Sequence, residues 1–376
     1  MALRIIFAGG GTAGHIEPAL AVADAIRAER SDAECIFLGT KNGLENLLVP
    51  KSGYQLSTIP KVAMPRTFSF SIVLFPVRII RSILSAIRVV RNADLLIGFG
   101  GYISASAYIA AKLTGVPIVV HEANAKPGWA NRLARNWARV VAVTFDEVRE
   151  RWAGSILTGI PLRAPIIAMS SMRGEARRDF RKLHCESWGL DSAKPIIAIF
   201  GGSQGSQRIN SVVEEFLTWE GSFENFQIIH AVGVNNPLPS KAPGYLPVPY
   251  FHDMAAIYGS ADLLITRSGA VTCAEIATVG TYAILIPLPH GNGEQVTNAQ
   301  SLVRQGRAIS VSNEDFSATW LKEKLSEALS AAESTGSLPS AVHIGAATRI
   351  AQLALDRKST RLNSSHSSVS RMPSSA

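Results

Sequence analysis

Cysteine is nearly absent from this 376-residue chain: Cys35, Cys185 and Cys273 stand far apart, with no Cys-x-x-Cys pair. Neither a disulfide framework nor a zinc site follows from them, and a reducing cytoplasm is the simplest setting. Long apolar runs are missing as well. No uninterrupted stretch approaches the roughly 20 residues that a spanning helix needs, and the apolar run near the start is too short for a signal-peptide core. The sequence therefore predicts a protein neither secreted nor transmembrane. Charge is sparse, at 18% of residues against 47% hydrophobic, which excludes a disordered chain and, over this length, favours two domains over one core. Acids are scarcer than bases, 29 against 37, leaving a net charge of +8. That excess suits an anionic partner without choosing between nucleic acid, anionic lipid and a phosphorylated substrate.

The stretch that organises the rest is LRIIFAGGGTAGHIEPALAVADAIR, from Leu3 to Arg27. Leu3, Ile5, Ile6, Phe7 and Ala8 form the apolar run of a parallel strand buried on both faces. Gly9, Gly10, Gly11 and Gly14 then permit a sharp turn, and Leu20, Ala21, Ala25 and Ile26 recur at helical spacing from Pro18 onward, with Pro18 suited to a first turn. A glycine turn opening a helix offers backbone N–H groups and a positive dipole end, which suits a diphosphate; a purely structural tight turn is the alternative. A dinucleotide would also need an acid at the end of the next strand. Cys35 to Leu38 ends instead in Gly39 and Thr40, which demotes a dehydrogenase. His15, just after the turn, is either structural or an acid–base group near neutral pH.

Ser71 to Arg91 follows, SIVLFPVRIIRSILSAIRVVR. Ile72, Phe75, Ile79, Ile83, Ile87 and Val90 keep a three-or-four spacing, while Arg78, Arg81, Arg88 and Arg91 supply cations that no acid interrupts. Such a helix can lie in a bilayer interface with its arginines on lipid phosphates; an ordinary packed helix is the alternative. No aromatic residue alternates with the arginines to stack bases, which argues against nucleic acid. Beyond it the strand Leu95 to Ile97 runs into a second glycine turn, Gly98 to Tyr102. The strand Pro117 to Val120 leads into His121, Glu122, Ala123 and Asn124. Ligands gather at carboxyl ends of strands in open α/β sheets, so these ends converge on one expected site. Glu122 is either a base or a helix cap; Asn124 can orient a sugar hydroxyl or a base. Thr158 to Pro165, with a glycine and two prolines, marks an interdomain linker.

The second half repeats the plan without repeating the sequence. Pro195 to Phe200 is a strand, Gly201 to Gly205 a third glycine turn and Ile209 to Trp219 a helix. Strands are expected at Gln227 to Ala231, near Pro249 to Phe251, at Leu263 to Thr266 and at Tyr282 to Pro287. Arg267 to Ala270 turns into a helix carrying Glu275, and Asn292 to Asn298 reads as a polar loop before a helix from Ala299 to Gln305. The fold class expected is α/β, two Rossmann-like domains with parallel sheets facing a cleft.

GGGTAGH at the start, GFGGY at 98 to 102, HEAN at 121 to 124, GGSQGSQRIN at 201 to 210 and RSGAVTCAE at 267 to 275 resemble, in order and spacing, the MurG family. Its members transfer N-acetylglucosamine from UDP-GlcNAc to lipid I, giving lipid II for peptidoglycan. The resemblance runs from about residue 3 to about 356. It implies a GT-B fold with an acceptor- and membrane-facing domain at 1–160, a UDP-sugar domain at 161–339 and a helix at 340–356 packing back on the first. It puts donor contacts on Thr12, Ala13, Gly14, Asn124, Arg163, Ser203, the backbone of Phe251, the turn Ala270, Val271, Thr272, Cys273, Ala274 and Glu275, and Gln295. Glu275 can accept both ribose hydroxyls, Arg163 and the Ser203 loop can stabilise departing UDP, and Gln295 can pair with sugar hydroxyls. His15 is the first candidate for the base, because imidazole titrates near working pH, and Glu122 is the second; a lipid-borne acceptor adds weight to the membrane contact through Ile72, Phe75, Arg78, Ile79, Arg81 and Ile83.

It further implies no cofactor, UDP-GlcNAc, lipid I and an anionic membrane surface as partners together with other cell-wall synthesis proteins, no nucleic acid, and a peripheral place on the cytoplasmic face of the cell membrane. No Asp-x-Asp pair occurs, which argues against a metal-held diphosphate. The chain departs from the family at Ile160, where Asn is frequent, and at Glu294, where a second glutamine is common. Rival readings are a non-catalytic UDP-sugar or lipid-binding protein and a glycosyltransferase with a soluble acceptor. The serine-rich segment 357–376 does not resemble the family and reads as disordered or non-native.

Overall fold

A computed structural model of the chain describes residues 2–62, 75–219, 225–289, 293–336 and 339–356. The described residues divide into two compact units: those within 2–123, 127–159 and 345–356 form the first, and those within 124–126 and 160–344 the second.

The first unit runs β1 (Arg4–Ala8), α1 (Ala13–Glu29), β2 (Glu34–Gly39), α2 (Glu45–Lys51), β3 (Gln55–Thr58), α3 (Phe75–Val90), β4 (Leu95–Gly98), α4 (Gly101–Thr114), β5 (Ile118–Glu122), α5 (Trp129–Ala134), β6 (Val140–Val143), α6 (Asp146–Arg151) and β7 (Ile156–Leu157). The second runs α7 (Ala164–Met169), α8 (Gly174–Trp188), β8 (Ile196–Phe200), α9 (Gln207–Leu217), β9 (Gln227–Ala231), β10 (Tyr245–Val248), α10 (Met254–Ser260), β11 (Leu263–Thr266), α11 (Ala270–Val279), β12 (Tyr282–Leu285), α12 (Glu294–Arg304), β13 (Ala308–Ser310) and α13 (Ala318–Thr335); α14 (Ala346–Leu355) returns to the first.

Every ladder between these strands is parallel. The sheet orders are β3-β2-β1-β4-β5-β6-β7 and β10-β9-β8-β11-β12-β13, so each sheet is doubly wound and reverses direction beside its first strand. Ile5, Ile6, Phe7 and Ala8 are wholly buried, because helices cover both faces of a parallel sheet. One layer joins β1 to α1 and α14 through Phe7, Leu20, Ile350 and Ala351; the other joins it to α3 and α4 through Ala86, Val90, Ile103 and Tyr108. In the second unit Ile197, Ile265 and Ile284 pack on Val213, Leu321 and Leu325.

Some boundaries differ from the sequence expectation. Helix α1 starts at Ala13 and carries Gly14 and Pro18 inside it; the turn is completed by Gly9 to Thr12, and the helix tolerates one missing N–H at Pro18. The strand expected near Pro249 to Phe251 is Tyr245–Val248, since Pro247 can stand on the outer strand of the sheet. Glu294 begins α12, so most of the expected polar loop is helix. The tail at 357–376 lies outside the described residues.

Candidate active site

In the first unit the switch point falls between β1 and β4, where ligands of doubly wound sheets bind at strand carboxyl ends. Thr12 stands at the N-cap of α1 without capping it, and no acid occupies the first turn, so the helix start keeps its positive end. Ala13 and Gly14 open the helix. His15 Nδ1 lies 3.3 Å from Thr12 Oγ1. Burial lowers the pKa of His15, and a hydrogen bond to the Gly10 carbonyl only partly opposes this. The imidazole is neutral at pH 7 and able to accept a proton.

The second glycine turn wraps that ring. Gly100 and Gly101 have φ of 95° and 82°, a region that side chains avoid, and a methyl on Gly101 would stand 3.4 Å from His15 Nδ1. Ser104 Oγ, donating to Ala8 O at 2.6 Å or Gly100 O at 2.7 Å, ties the two turns together.

Glu122 is 1% exposed. Its Oε2 accepts from the Gly128 N–H and from Asn131 Nδ2, each at 2.9 Å, which places it as an anchor at the start of α5. Asn131 in turn accepts from the Tyr108 hydroxyl at 2.8 Å and donates to His121 O at 3.0 Å. His121 is fully buried, its Nε2 3.0 Å from Gly159 O. The sequence aimed His121, Glu122 and Asn124 at one ligand; the backbone turns the first two inward, and Asn124 groups with the second unit.

On α3 the exposed apolar side chains are Val77, Ile80 and Leu84, at 48, 56 and 50%. Phe75, Ile79 and Ile83 are half-buried, Arg78 and Arg81 are exposed, and Ile72 lies outside the described residues. The helix turns Ser82, Ala86 and Val90 inward, and Ser82 Oγ meets Ser106 Oγ on α4 at 3.0 Å. The exposed apolar stripe is thus one step round the helix from the residues the sequence spacing picked.

The second unit has its switch point between β8 and β11. Ser203 lies half-buried in the turn after β8. A side chain on Gly205 would collide with the Val232 carbonyl, and Asn236 Nδ2 bonds Gln204 O at 3.0 Å, so this turn is clamped. Ser206 caps α9 by accepting from the Ile209 N–H at 3.3 Å. Arg267, inside a quoted motif but given no role from sequence, is the keystone here. Its Nη2 bonds Ser206 Oγ at 2.7 Å and Asn313 Oδ1 at 2.9 Å, and its Nη1 bonds Ile286 O at 3.1 Å and Pro287 O at 3.3 Å. All four acceptors are uncharged. Burial lowers the pKa of Arg267, yet a guanidinium stays charged.

Helix α11 starts at Ala270 after Gly269, with neither a side-chain cap nor an acid in its first turn. An end of this kind suits an anion. Val271 and Thr272 are half-buried, while Cys273 and Ala274 are buried, and burial pushes the Cys273 thiol up to about 12, which makes it inert. Glu275 Oε2 accepts the Tyr258 hydroxyl at 2.8 Å. Burial, then the neighbouring Glu275, drives the Tyr258 pKa well up, so Tyr258 stays a donor. The Phe251 ring packs edge-on to Phe200 at 5.9 Å. Gln295 Oε1 accepts from the Leu288 N–H at 3.0 Å, and its backbone carbonyl accepts from Ser268 Oγ at 2.9 Å. Asn298, 1% exposed, accepts from the Ala125 N–H at 3.3 Å and donates toward Ser268 O at 3.4 Å and Asn124 Oδ1 at 3.5 Å. Arg163 is the N-cap residue of α7, which packs on α10 and α11.

Two doubly wound parallel-sheet units, each with a glycine turn at its switch point, have the architecture of a GT-B glycosyltransferase. Glycosyltransferase family 28 accounts for both halves, its N-terminal domain matching residues 5–143 and its C-terminal domain residues 196–353. The UDP-N-acetylglucosamine–N-acetylmuramyl-(pentapeptide) pyrophosphoryl-undecaprenol N-acetylglucosamine transferase of Corynebacterium glutamicum is 40% identical over 97% of this chain and 100% of its own length. The Frankia casuarinae enzyme of the same name is 41% identical over 97% of this chain and 98% of its own. The chain belongs to that family, the MurG family. Two solved structures share the fold: MurG of Acinetobacter baumannii, with TM-score 0.65, 24% identity and coverage of 94% of this chain and 99% of that one, and the kitacinnamycin glycotransferase, with TM-score 0.65, 15% identity and coverage of 93% and 97%.

Proposed function

We propose that this protein transfers N-acetylglucosamine from UDP-GlcNAc to the C4 hydroxyl of MurNAc in lipid I, with inversion, producing lipid II. The observation that carries the reading is the 40% identity to a transferase so named over that relative's whole length. The geometry supplies the chemistry. The C4 oxygen attacks the anomeric carbon from the face opposite UDP while the bond from that carbon to the diphosphate oxygen breaks, so an α-linked donor gives a β linkage. The hydroxyl proton passes to His15, whose neutral ring suits a base; Glu122, buried and bonded at the start of α5, is the second candidate and the weaker one.

Charge growing on UDP meets the start of α11, the Ser203 turn, Arg163 and the Arg267 guanidinium. Glu275, held by Tyr258, accepts the ribose hydroxyls, and Gln295 and Asn124 contact the sugar. This arrangement stabilises the diphosphate with fixed dipoles and guanidinium charge. Among the described residues no helix is long and apolar enough to cross a membrane. We place the protein at the cytoplasmic face of the membrane that carries the lipid-borne acceptor, with the apolar and arginine-bearing surface of α3 as the docking surface.

Radiolabelled UDP-GlcNAc offered with lipid I and with soluble acceptors tests the substrate: label in lipid II alone is expected, and label in a soluble product or in none refutes it. His15→Ala is expected to lower kcat by about 100-fold with donor affinity kept; near-native kcat removes His15 from the mechanism.

A further inference from the structure

The carboxyl ends of four strands in the second unit meet on one side chain. Arg267 follows β11 directly, and its guanidinium bonds the Ser206 hydroxyl beyond β8, the Ile286 and Pro287 carbonyls at the end of β12, and Asn313 Oδ1 beyond β13. Ile286 and Pro287 offer main-chain oxygens, and Ser206 is the cap of α9. Asn313 belongs to none of the glycine turns and motifs by which the sequence marks the site. Its main chain is held separately by Arg208, whose Nε bonds Asn313 O at 3.1 Å and whose Nη2 bonds Glu314 O at 2.9 Å.

The residue type at 313 decides how much charge Arg267 shows. A guanidinium beside a carboxylate forms a forked pair and loses most of its field; beside an amide oxygen it keeps the field and still has its acceptor. Carboxylates are close by in the chain, since Glu314 and Asp315 follow Asn313. Asp315 is drawn away, its Oδ2 accepting from the Ser312 hydroxyl at 2.7 Å while its N–H donates to Ser312 Oγ at 3.0 Å, and Glu314 gives Arg208 its main-chain oxygen. All six acceptors on Arg267 and Arg208 are therefore uncharged. The amino end of β11 shows the opposite choice: there Asp262 takes Arg181 Nη1 on both carboxylate oxygens at 2.8 Å. We infer that Asn313 is a positioning residue for the donor, holding Arg267 across the strand ends without neutralising it, so that the full guanidinium charge bears on the diphosphate of the bound nucleotide. The inference rests on the reading of this unit as the UDP-sugar site, and Asn313 acts only through Arg267.

The effect is one of field. A charge set among strand ends and partly withdrawn from water acts over several ångströms with little screening. Departing UDP gains negative charge as its bond to the anomeric carbon breaks, so the same guanidinium stabilises the transition state more than the ground state. A carboxylate at 313 would keep the hydrogen bonds and remove that field.

The test compares substitutions at 313 in the full chain. Asn313→Asp preserves the clamp and quenches the charge. Thermal stability at or above the parent's is expected, with UDP binding by calorimetry weakened about 10-fold at low salt and the gap closing as salt rises. Uridine, measured by displacement, should bind as before, and kcat should fall by more than KM for UDP-GlcNAc rises. Asn313→Ala loosens the clamp and spares the charge, so it loses stability while UDP affinity falls by about threefold at most. Asn313→Gln, a longer neutral amide, should return UDP affinity toward the parent's. The two orders, of stability and of UDP affinity, thus run in opposite directions, which a purely structural clamp does not produce. UDP affinity of Asn313→Asp within about twofold of the parent's overturns the inference, as does an equal loss of uridine and UDP. Should Asn313→Asp fail to fold, Asn313→Glu is read in the same way. A parent chain that binds no UDP fails the donor reading and this inference with it, whereas a binding parent with an unaffected Asn313→Asp fails this inference alone.

Discussion

Replacing Val77, Ile80 and Leu84 together by serine should release the protein from anionic vesicles. The three side chains are about half exposed, so each has roughly half of its transfer free energy still to gain. Full burial of a Val, Leu or Ile contributes about 1.5–3 kcal/mol, which leaves about 1 kcal/mol per site and about 3 kcal/mol for the stripe. Arg78 and Arg81 add about 1 kcal/mol each on an anionic surface. Loss of 3 kcal/mol weakens partitioning by about 150-fold, and serine, unlike aspartate, does so without adding repulsion. Co-sedimentation with phosphatidylglycerol-containing vesicles measures the effect, and UDP binding by calorimetry serves as the check that the second unit is intact. Phe75 and Ile79 are poorer targets, because they are half-buried and their removal would confound docking with stability. Partitioning of the triple variant within threefold of the parent would refute α3 as the contact. Persistence of strong binding in 1 M salt with the parent chain would refute only the arginine share, since screening acts on those charges and not on the stripe.

Tyr258→Phe removes a hydrogen bond to a carboxylate worth about 1.5–3 kcal/mol, so KM for UDP-GlcNAc should rise about 10-fold while a 2′-deoxyribose donor loses less; equal losses for both donors would mean that Glu275 does not read the ribose. His230, held between Tyr245 and Asn210, has its pKa lowered by burial to about 4. The folded pKa lies below the unfolded one of about 6.5, so the unfolded state binds the extra proton and stability falls as pH drops from about 6.5 to 4, by about 3 kcal/mol in all. Denaturant midpoints of His230→Gln should lose that slope, and an unchanged slope would dismiss the assignment. Fixed dipoles and guanidinium charge at the diphosphate predict full transfer in excess chelator, measured with the radiolabelled donor; activity that vanishes and returns with a divalent cation would contradict it. For His15 the depressed pKa places the acid limb of kcat below pH 6.5, with activity falling as the ring gains a proton, and that limb should be missing from His15→Ala.

What could be read from the sequence is what local chemistry dictates. Strands buried on both faces have no choice but to be apolar throughout, so β1, β4, β5, β8, β11 and β12 announce themselves, and the glycine turns follow from the strand ends they must clear. Elements that escaped have weaker local rules. β3 is QLST at the sheet edge, partly polar and half-exposed, and α8 buries only Cys185 among its fifteen residues, too little to show a period. Side-chain partners escaped because they are distant in sequence: Glu45 meets Gly11 across 34 positions, and Arg267 meets Ser206 across 61. This limit bears on function directly. Gly9 to Gly11 and Gly201 to Gly205 look alike as strings, yet in the first turn the Gly11 amide donates to Glu45, a carboxylate with 0% exposure, and the second has a guanidinium at the start of the helix it opens. Only the donor and acceptor account of each turn distinguishes an amide already taken by the chain's own anion from a charge kept for a departing dianion.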